Sequence, residues 1–147
     1  MSEMLGNHYF LIRDYAEAIK AYSTAFNKNL PNSITKKIII CHLTQDDFSS
    51  AQNYFINLIK EDPALIYDTD FKLEECPCYD LIKEYEAGSI NTNNEIIRLG
   101  ILWFYCDLQI SKKYFEMALK KNLANKFIHE TLDIINTITK QKEKREI

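Results

Sequence analysis

The chain has 147 residues, of which 46 % are hydrophobic, and its formal net charge is −3. This length suits one domain with a real core, and the hydrophobic content excludes a fully disordered chain. The chain lacks the density of basic residues that a nucleic-acid-binding surface carries, so no nucleic-acid partner is expected. With only three glycines and three prolines, turns should be few and helices long.

The sequence also carries signals about its compartment. No run of 18 apolar residues is present, which predicts no membrane insertion. The first residues lack a basic segment followed by an apolar one, so no secretory signal is expected. The four cysteines are irregularly spaced and do not indicate a disulfide framework. We therefore expect a cytoplasmic protein.

Small and aromatic residues recur at fixed spacing near the start of the chain. Gly6 and Ala18 are expected at the contact between two antiparallel helices whose axes approach to about 8–10 Å. Ala25 is expected at the corresponding contact with a following unit. Asp14 should cap the second helix and Pro31 should end it. The segment reads Leu5-Gly6-x-x-Tyr9, then Ala18-x-x-x-Tyr22-x-x-Ala25, then Pro31.

This pattern resembles the tetratricopeptide repeat, a helix–turn–helix unit of the form W-x-x-L-G-x-x-Y…A-x-x-x-F…P. Two positions depart from it, since Ser2 replaces the tryptophan and Arg13 replaces the turn glycine. The resemblance implies an all-α fold in which antiparallel helix pairs stack into an α-α superhelix. Such solenoids hold other proteins, so the resemblance implies a protein-binding scaffold.

Later segments repeat the second-helix pattern, which indicates a stack of units. Phe48-x-x-Ala51-x-x-x-Phe55 and Ser111-x-x-x-Phe115-x-x-Ala118 both match it. The middle unit has two interpretations: a degenerate repeat, or a capping element in which Phe71, Leu73 and Leu81 cover the core. We predict a single domain over residues 1–147, with repeats at about 2–31 and 32–63, an irregular unit at about 64–88, a last repeat at about 93–122 and a capping helix at about 124–142.

Candidate ligand-binding residues follow from the resemblance, because the first helices of such repeats line the concave groove. Lys36 and Lys37 are expected to meet carboxylates of a bound segment, although apolar candidates such as Trp103 have the alternative of packing on neighbouring helices. One subgroup of the family binds terminal carboxylates through a lysine, but Glu3 stands at that position here and would repel them. The groove candidates are Asn7, Phe10, Lys36, Lys37, Ile40 and Trp103.

No motif for catalysis or for a cofactor is present. The sequence has no phosphate-binding glycine loop, no nucleophile elbow and no H-E-x-x-H, so no catalytic residue is assigned. Cys76-Pro77-Cys78 lacks a second ligand pair nearby, so no metal is expected. The leading hypothesis is an adaptor that binds a protein or peptide segment. The alternatives are a self-associating structural module, which would be a homo-oligomer, and a secretion-type chaperone for a client protein.

Overall fold

The computed structural model describes residues 2–74 and 76–146, without the side chains of Ser2, Phe71, Leu73 and Glu146. Over these residues the chain is all-helical and has no strand, and the helices pack in neighbouring pairs. The predicted all-α class is therefore confirmed. The helical segments of this described part are α1 (Ser2–Leu11), α2 (Tyr15–Phe26), α3 (Asn32–Thr44), α4 (Phe48–Glu61), α5 (Ala64–Tyr67), α6 (Phe71–Glu74), α7 (Cys78–Ala87), α8 (Asn93–Cys106), α9 (Leu108–Lys121) and α10 (Lys126–Glu146).

The helices of the described part of the chain form two compact units. Unit 1 comprises residues 1–58 and 70–76, and unit 2 comprises residues 59–69 and 77–147. The first boundary lies inside α4, where the sequence shows no change of composition and no linker. Sequence signals for domain boundaries are therefore missing at this position.

Unit 1 begins with the predicted helix pair, and its turn explains an unusual residue. The Asp14 side chain accepts a hydrogen bond from the Glu17 backbone N–H at 3.3 Å, which confirms the predicted cap. Arg13 adopts a positive φ of 62°, the left-handed conformation that glycine adopts most easily. The turn therefore keeps the geometry for which the repeat pattern uses glycine, although arginine occupies the position.

The end of α2 differs from the prediction. Asn27 adopts a φ of 54° and its N–H donates to the Ser23 carbonyl oxygen, so the helix ends at Phe26. Asparagine tolerates this left-handed conformation better than most residues and commonly ends helices. Pro31 therefore does not end α2. It precedes α3 instead, and its carbonyl oxygen accepts from the Ile34 and Thr35 N–H groups.

The close approach of α1 and α2 depends on Gly6. A Cβ atom at this position would lie 2.5 Å from two ring carbons of Tyr22, and both Tyr22 and Ala18 are fully buried. These positions confirm the predicted small-residue crossing. Ala25 is exposed, however, so its predicted packing against a following unit is wrong. Ala21, one turn earlier, is the buried small residue of that part of α2.

The second helix pair of unit 1 consists of α3 and the first part of α4. The Asp47 side chain caps α4 by accepting a hydrogen bond from the Ser50 N–H at 3.2 Å. The rings of His42 on α3 and Tyr54 on α4 are stacked with centroids 5.8 Å apart. Burial, opposed by the nearby Asp47 carboxylate, lowers the pKa of His42. Uncharged His42 thus contributes to the packing of α3 against α4.

In unit 2, α8 and α9 cross in the same way as α1 and α2, with a glycine of one helix against an aromatic ring of the other. A Cβ atom at Gly100 would lie 3.0 Å from the Phe115 ring, and the buried Ser111 hydroxyl donates to the Gly100 carbonyl oxygen at 2.6 Å. The N-terminus of α8 is capped by Thr92. Thr92 and Glu95 form a reciprocal capping box, because Glu95 stands at the position from which its carboxylate reaches back.

The last helix buries one face, which is mainly apolar. It runs from Lys126 to Glu146, slightly later than the predicted range of about 124–142. The Asn125 side chain accepts from the Ile128 N–H at 3.1 Å and so fixes the start of the helix. The helix packs on α9 within unit 2. Its buried residues are Ile128, Thr131, Leu132, Ile135 and Ile138.

The irregular middle of the chain contains three short helices. α7 lies within the irregular unit predicted at about 64–88, and Leu81 is buried as expected. The predicted covering roles of Phe71 and Leu73 concern side chains outside the described part. Cys76 and Cys78 are disulfide-bonded, while Cys41 and Cys106 are free. The cysteine spacing did not indicate this bonding.

Substituting each glycine with alanine tests the crossings. We expect Gly6→Ala to destabilise the chain by about 1–3 kcal/mol, since the new methyl group overlaps Tyr22. Gly100→Ala should cost less, because its contacts with Phe115 are longer. Gly88→Ala is the control: its Cβ would meet no atom closer than 3.7 Å, so its free energy of unfolding should stay within about 1 kcal/mol of wild type. Equal unfolding midpoints in urea for Gly6→Ala and Gly88→Ala would contradict this account.

Candidate peptide-binding surface

Asn7 lies at the centre of a polar contact on unit 1. Its Oδ1 atom accepts hydrogen bonds from the Tyr22 hydroxyl at 2.6 Å and from the Lys37 ammonium at 3.1 Å. The Lys37 nitrogen also lies 5.5 Å from the centroid of the Phe10 ring, which is within cation–π range. Helices α1, α2 and α3 thus contribute to one cluster. Burial raises the pKa of Tyr22 well above its usual range, so its hydroxyl remains a donor.

Lys36 has an acidic partner from the middle of the chain. Its ammonium lies 2.5 Å from Oε1 of Glu74, and the lysine side chain is only 10 % exposed. The other oxygen of Glu74, Oε2, accepts from the Asp70 backbone N–H at 2.8 Å. The short helix α6 therefore presents a carboxylate to α3. The predicted role of Lys36, meeting a carboxylate, is already fulfilled by a segment of the same chain.

Two of the apolar candidates are buried. Phe10 is 3 % exposed and Ile40 is 2 % exposed, so neither side chain offers surface to a ligand in this structure. Phe10 packs with its ring edge against Tyr15, at a centroid distance of 5.8 Å. Phe10 belongs to the cluster only through its ring beneath the Lys37 ammonium. Asn7 and Lys37 are the candidates of unit 1 that keep partial exposure.

Trp103 belongs to unit 2 and has neighbours of its own. Its indole N–H donates to Oε2 of Glu86 at 3.1 Å, and the Tyr114 hydroxyl donates to the same oxygen at 2.5 Å. Tyr79 packs against the indole in an edge-to-face arrangement, with centroids 6.3 Å apart. The predicted alternative for Trp103, contact with neighbouring helices, therefore occurs here, and the side chain remains partly exposed.

Sequence reasoning missed Glu74 and one repeat signal. Glu74 is an acidic residue in an irregular segment, and no pattern in the sequence indicates that it meets Lys36. The repeat signal, in contrast, is visible in the sequence. The form of Leu5-Gly6-x-x-Tyr9 recurs as Leu99-Gly100-x-x-Trp103. This match places Gly100 at a helix crossing and Trp103 at the position equivalent to Tyr9.

The free thiols do not provide a nucleophile. Burial raises the pKa of Cys41 to about 12, and burial with the nearby Asp107 carboxylate raises the pKa of Cys106 to about 12. Both thiols therefore stay protonated and weakly reactive near neutral pH. Within residues 2–74 and 76–146, no group of three histidine, cysteine or acidic side chains is arranged to hold a metal ion.

Unit 2 also contains an open cleft of about 450 Å³ between the α8–α9 junction and α10. Lys142 lies over the Tyr67 ring at 4.9 Å, and Gln109 donates to Thr139 at 3.4 Å across this cleft. These contacts already join the two walls of the cleft.

Among the helices in the described part of the chain, none combines the length and apolarity needed to span a membrane.

Comparison with known proteins adds no family. The chain matches no protein-family model, no curated protein and no solved structure.

Substituting Asn7 tests whether its hydrogen bonds stabilise the fold or only orient side chains at the surface. We expect Asn7→Ala to lower the free energy of unfolding by about 1–3 kcal/mol, because the buried Tyr22 hydroxyl loses its acceptor. Tyr22→Phe removes the donor and should cost about 1 kcal/mol. The double variant should cost less than the sum, and urea denaturation of all four proteins gives the coupling. Strict additivity would show that the two groups do not interact in solution.

Proposed function

We propose that the chain is a tetratricopeptide-like interaction module that binds an acidic protein segment on the first-helix surface of unit 1, without catalysis. The observation that carries this proposal is the Lys36–Glu74 ion pair. It joins a basic residue of α3 to the carboxylate of a short helical segment that is distant in sequence. Stacking of the helix pairs into a superhelix, and a cytoplasmic location, belong to the same proposal.

The charges of this surface support an acidic ligand. Lys36 is mostly buried, and a buried charge is costly unless it is paired. Glu74 meets that requirement from a four-residue helix, whose few residues give it little stability of its own. A partner with a carboxylate at the same position would satisfy Lys36 equally well. Lys37, held by Asn7 and Phe10, supplies a second positive charge beside it.

Reversing the charge of Lys37 tests the surface. The probe is a fluorescein-labelled peptide with the sequence of residues 68–74, whose binding is followed by fluorescence anisotropy. Lys37→Glu should weaken binding by about three- to tenfold, because a carboxylate would then face the acidic peptide. Lys28→Glu makes the same change in net charge at an exposed position in the turn after α2. An equal loss in both variants would indicate unspecific attraction and would contradict a defined site.

Glu74 provides a second test with the opposite sign. Glu74→Gln removes the charge that occupies Lys36 and leaves a side chain of the same size. We expect this variant to bind the labelled peptide several times more tightly than wild type, because the internal competitor is weakened. Glu61→Gln, at an exposed position at the end of α4, is the matched control. Unchanged affinity in Glu74→Gln would mean that the peptide does not use Lys36.

Self-association is the second candidate function, and one observation favours it. α1 and the turn after it leave large apolar side chains exposed, with Met4 at 74 % and Ile12 at 58 %. Exposed apolar surface of this kind often marks a protein contact. The residues concerned are Met4, Leu5, Leu11 and Ile12.

Light scattering of wild type and Leu11→Lys distinguishes the two functions. If the exposed face of α1 joins two copies, wild type should be a dimer at high concentration and Leu11→Lys a monomer. Since Leu11 is exposed, the substitution should leave thermal stability nearly unchanged. A monomeric wild type at all concentrations would exclude self-association and would leave the peptide-binding proposal intact.

A further inference from the structure

Glu86 connects two aromatic side chains from different helices of unit 2. Its Oε2 atom accepts one hydrogen bond from the Trp103 indole on α8 and one from the Tyr114 hydroxyl on α9. Burial, together with the adjacent Glu86 carboxylate, raises the pKa of Tyr114 to about 12, so this hydroxyl remains a donor near neutral pH. The carboxylate thus fixes the orientation of both rings while Glu86 itself stays exposed.

Tyr79 completes the arrangement from the same helix as Glu86. The two residues are seven positions apart on α7, which places them on one face two turns apart. The Tyr79 ring stands at 89° to the Trp103 indole, and Tyr79 is 47 % exposed. The indole therefore contacts both an exposed aromatic ring and a carboxylate. Perpendicular aromatic faces beside a negative charge are suited to a cation.

The charge of α7 supports the same ligand class. The helix carries three acidic residues, Asp80, Glu84 and Glu86, and one basic residue, Lys83, so its side chains sum to −2. A cation already lies over an aromatic ring between α7 and α8, since the Arg98 guanidinium is 3.6 Å from the centroid of the Tyr85 ring. The packing of this part of unit 2 thus already places a positive charge next to a tyrosine ring.

We propose that Tyr79, Trp103 and Glu86 form a binding site for an alkylated ammonium group. An ammonium group whose hydrogens are replaced by methyl groups needs no acceptor, which suits a carboxylate whose Oε2 already accepts two hydrogen bonds. It also carries a weaker hydration shell than a primary ammonium, so contact with aromatic faces costs less desolvation. The group has two sources, a methylated lysine side chain of a protein and a choline-type small molecule. This site is separate from the surface around Lys36 and does not rest on the proposed function.

The single tryptophan of the chain reports directly on the site. The probes are an acetylated pentapeptide with a central trimethyllysine, the same peptide with unmodified lysine, and choline chloride, each titrated into the full chain at constant ionic strength. We expect a saturable change in Trp103 emission, with the unmodified peptide binding about three- to tenfold more weakly than the methylated one. Tighter binding of the methylated peptide than of choline assigns the protein source, and the reverse order assigns the small molecule.

Variants make the test specific. Glu86→Gln keeps an oxygen acceptor for both donors but removes the charge, and it should weaken binding about three- to tenfold. Glu84→Gln removes the same charge two positions away on α7, where it does not share the face of Glu86, and should change affinity much less. Tyr79→Leu should also weaken binding, and circular dichroism checks that each variant folds.

Three results would overturn the proposal. The first is Trp103 emission that does not respond to any of the probes up to their solubility limits. The second is equal loss of affinity in Glu86→Gln and Glu84→Gln. The third is unchanged affinity in folded Tyr79→Leu. The cluster would then serve only to join α7 to α8 and α9.

Discussion

The crossing of two helices over a glycine is the constraint on which both units depend. Gly6 lies against the ring of Tyr22, and Gly100 lies against the ring of Phe115, at distances where no Cβ atom would fit without displacement. Helices can approach this closely only where one of them lacks a side chain, and the aromatic ring then fills the space beside the contact. The remaining contacts of each pair, including the Ser111–Gly100 hydrogen bond, form because the backbones are already near.

This packing also determines which polar groups reach one another. Tyr22 is buried by the crossing, so its hydroxyl needs an acceptor, and Asn7 on the facing helix provides it. Asn7 then has a fixed orientation and can accept from Lys37 as well. The binding surface proposed for unit 1 therefore follows from the core beneath it. A ligand carboxylate would meet a lysine whose position is set by α1 and α3 together.

In each unit, a charged side chain is paired with specific partners from other helices. In unit 1 the Lys36 ammonium is satisfied by Glu74, and in unit 2 the Glu86 carboxylate is satisfied by the N–H and O–H groups of two aromatic side chains. The first arrangement pairs a cation with a segment of the chain, and the acidic ligand proposed for unit 1 rests on it. The second places a carboxylate beside aromatic rings, and the cationic ligand proposed for unit 2 rests on it. The two proposed ligands therefore have opposite charges.

The sequence by itself determined the helical class, several helix starts and the small residues at the first crossing. These features depend on local spacing: Asp14 and Asp47 cap the helices that follow them, and Gly6 with Ala18 marks a close contact. Tertiary structure decided what spacing cannot show. It joined Glu74 to Lys36, buried Phe10 and Ile40, and left Ala25 exposed. Such outcomes depend on how residues far apart in the chain meet, and a periodic pattern specifies the face of a helix without specifying what covers it.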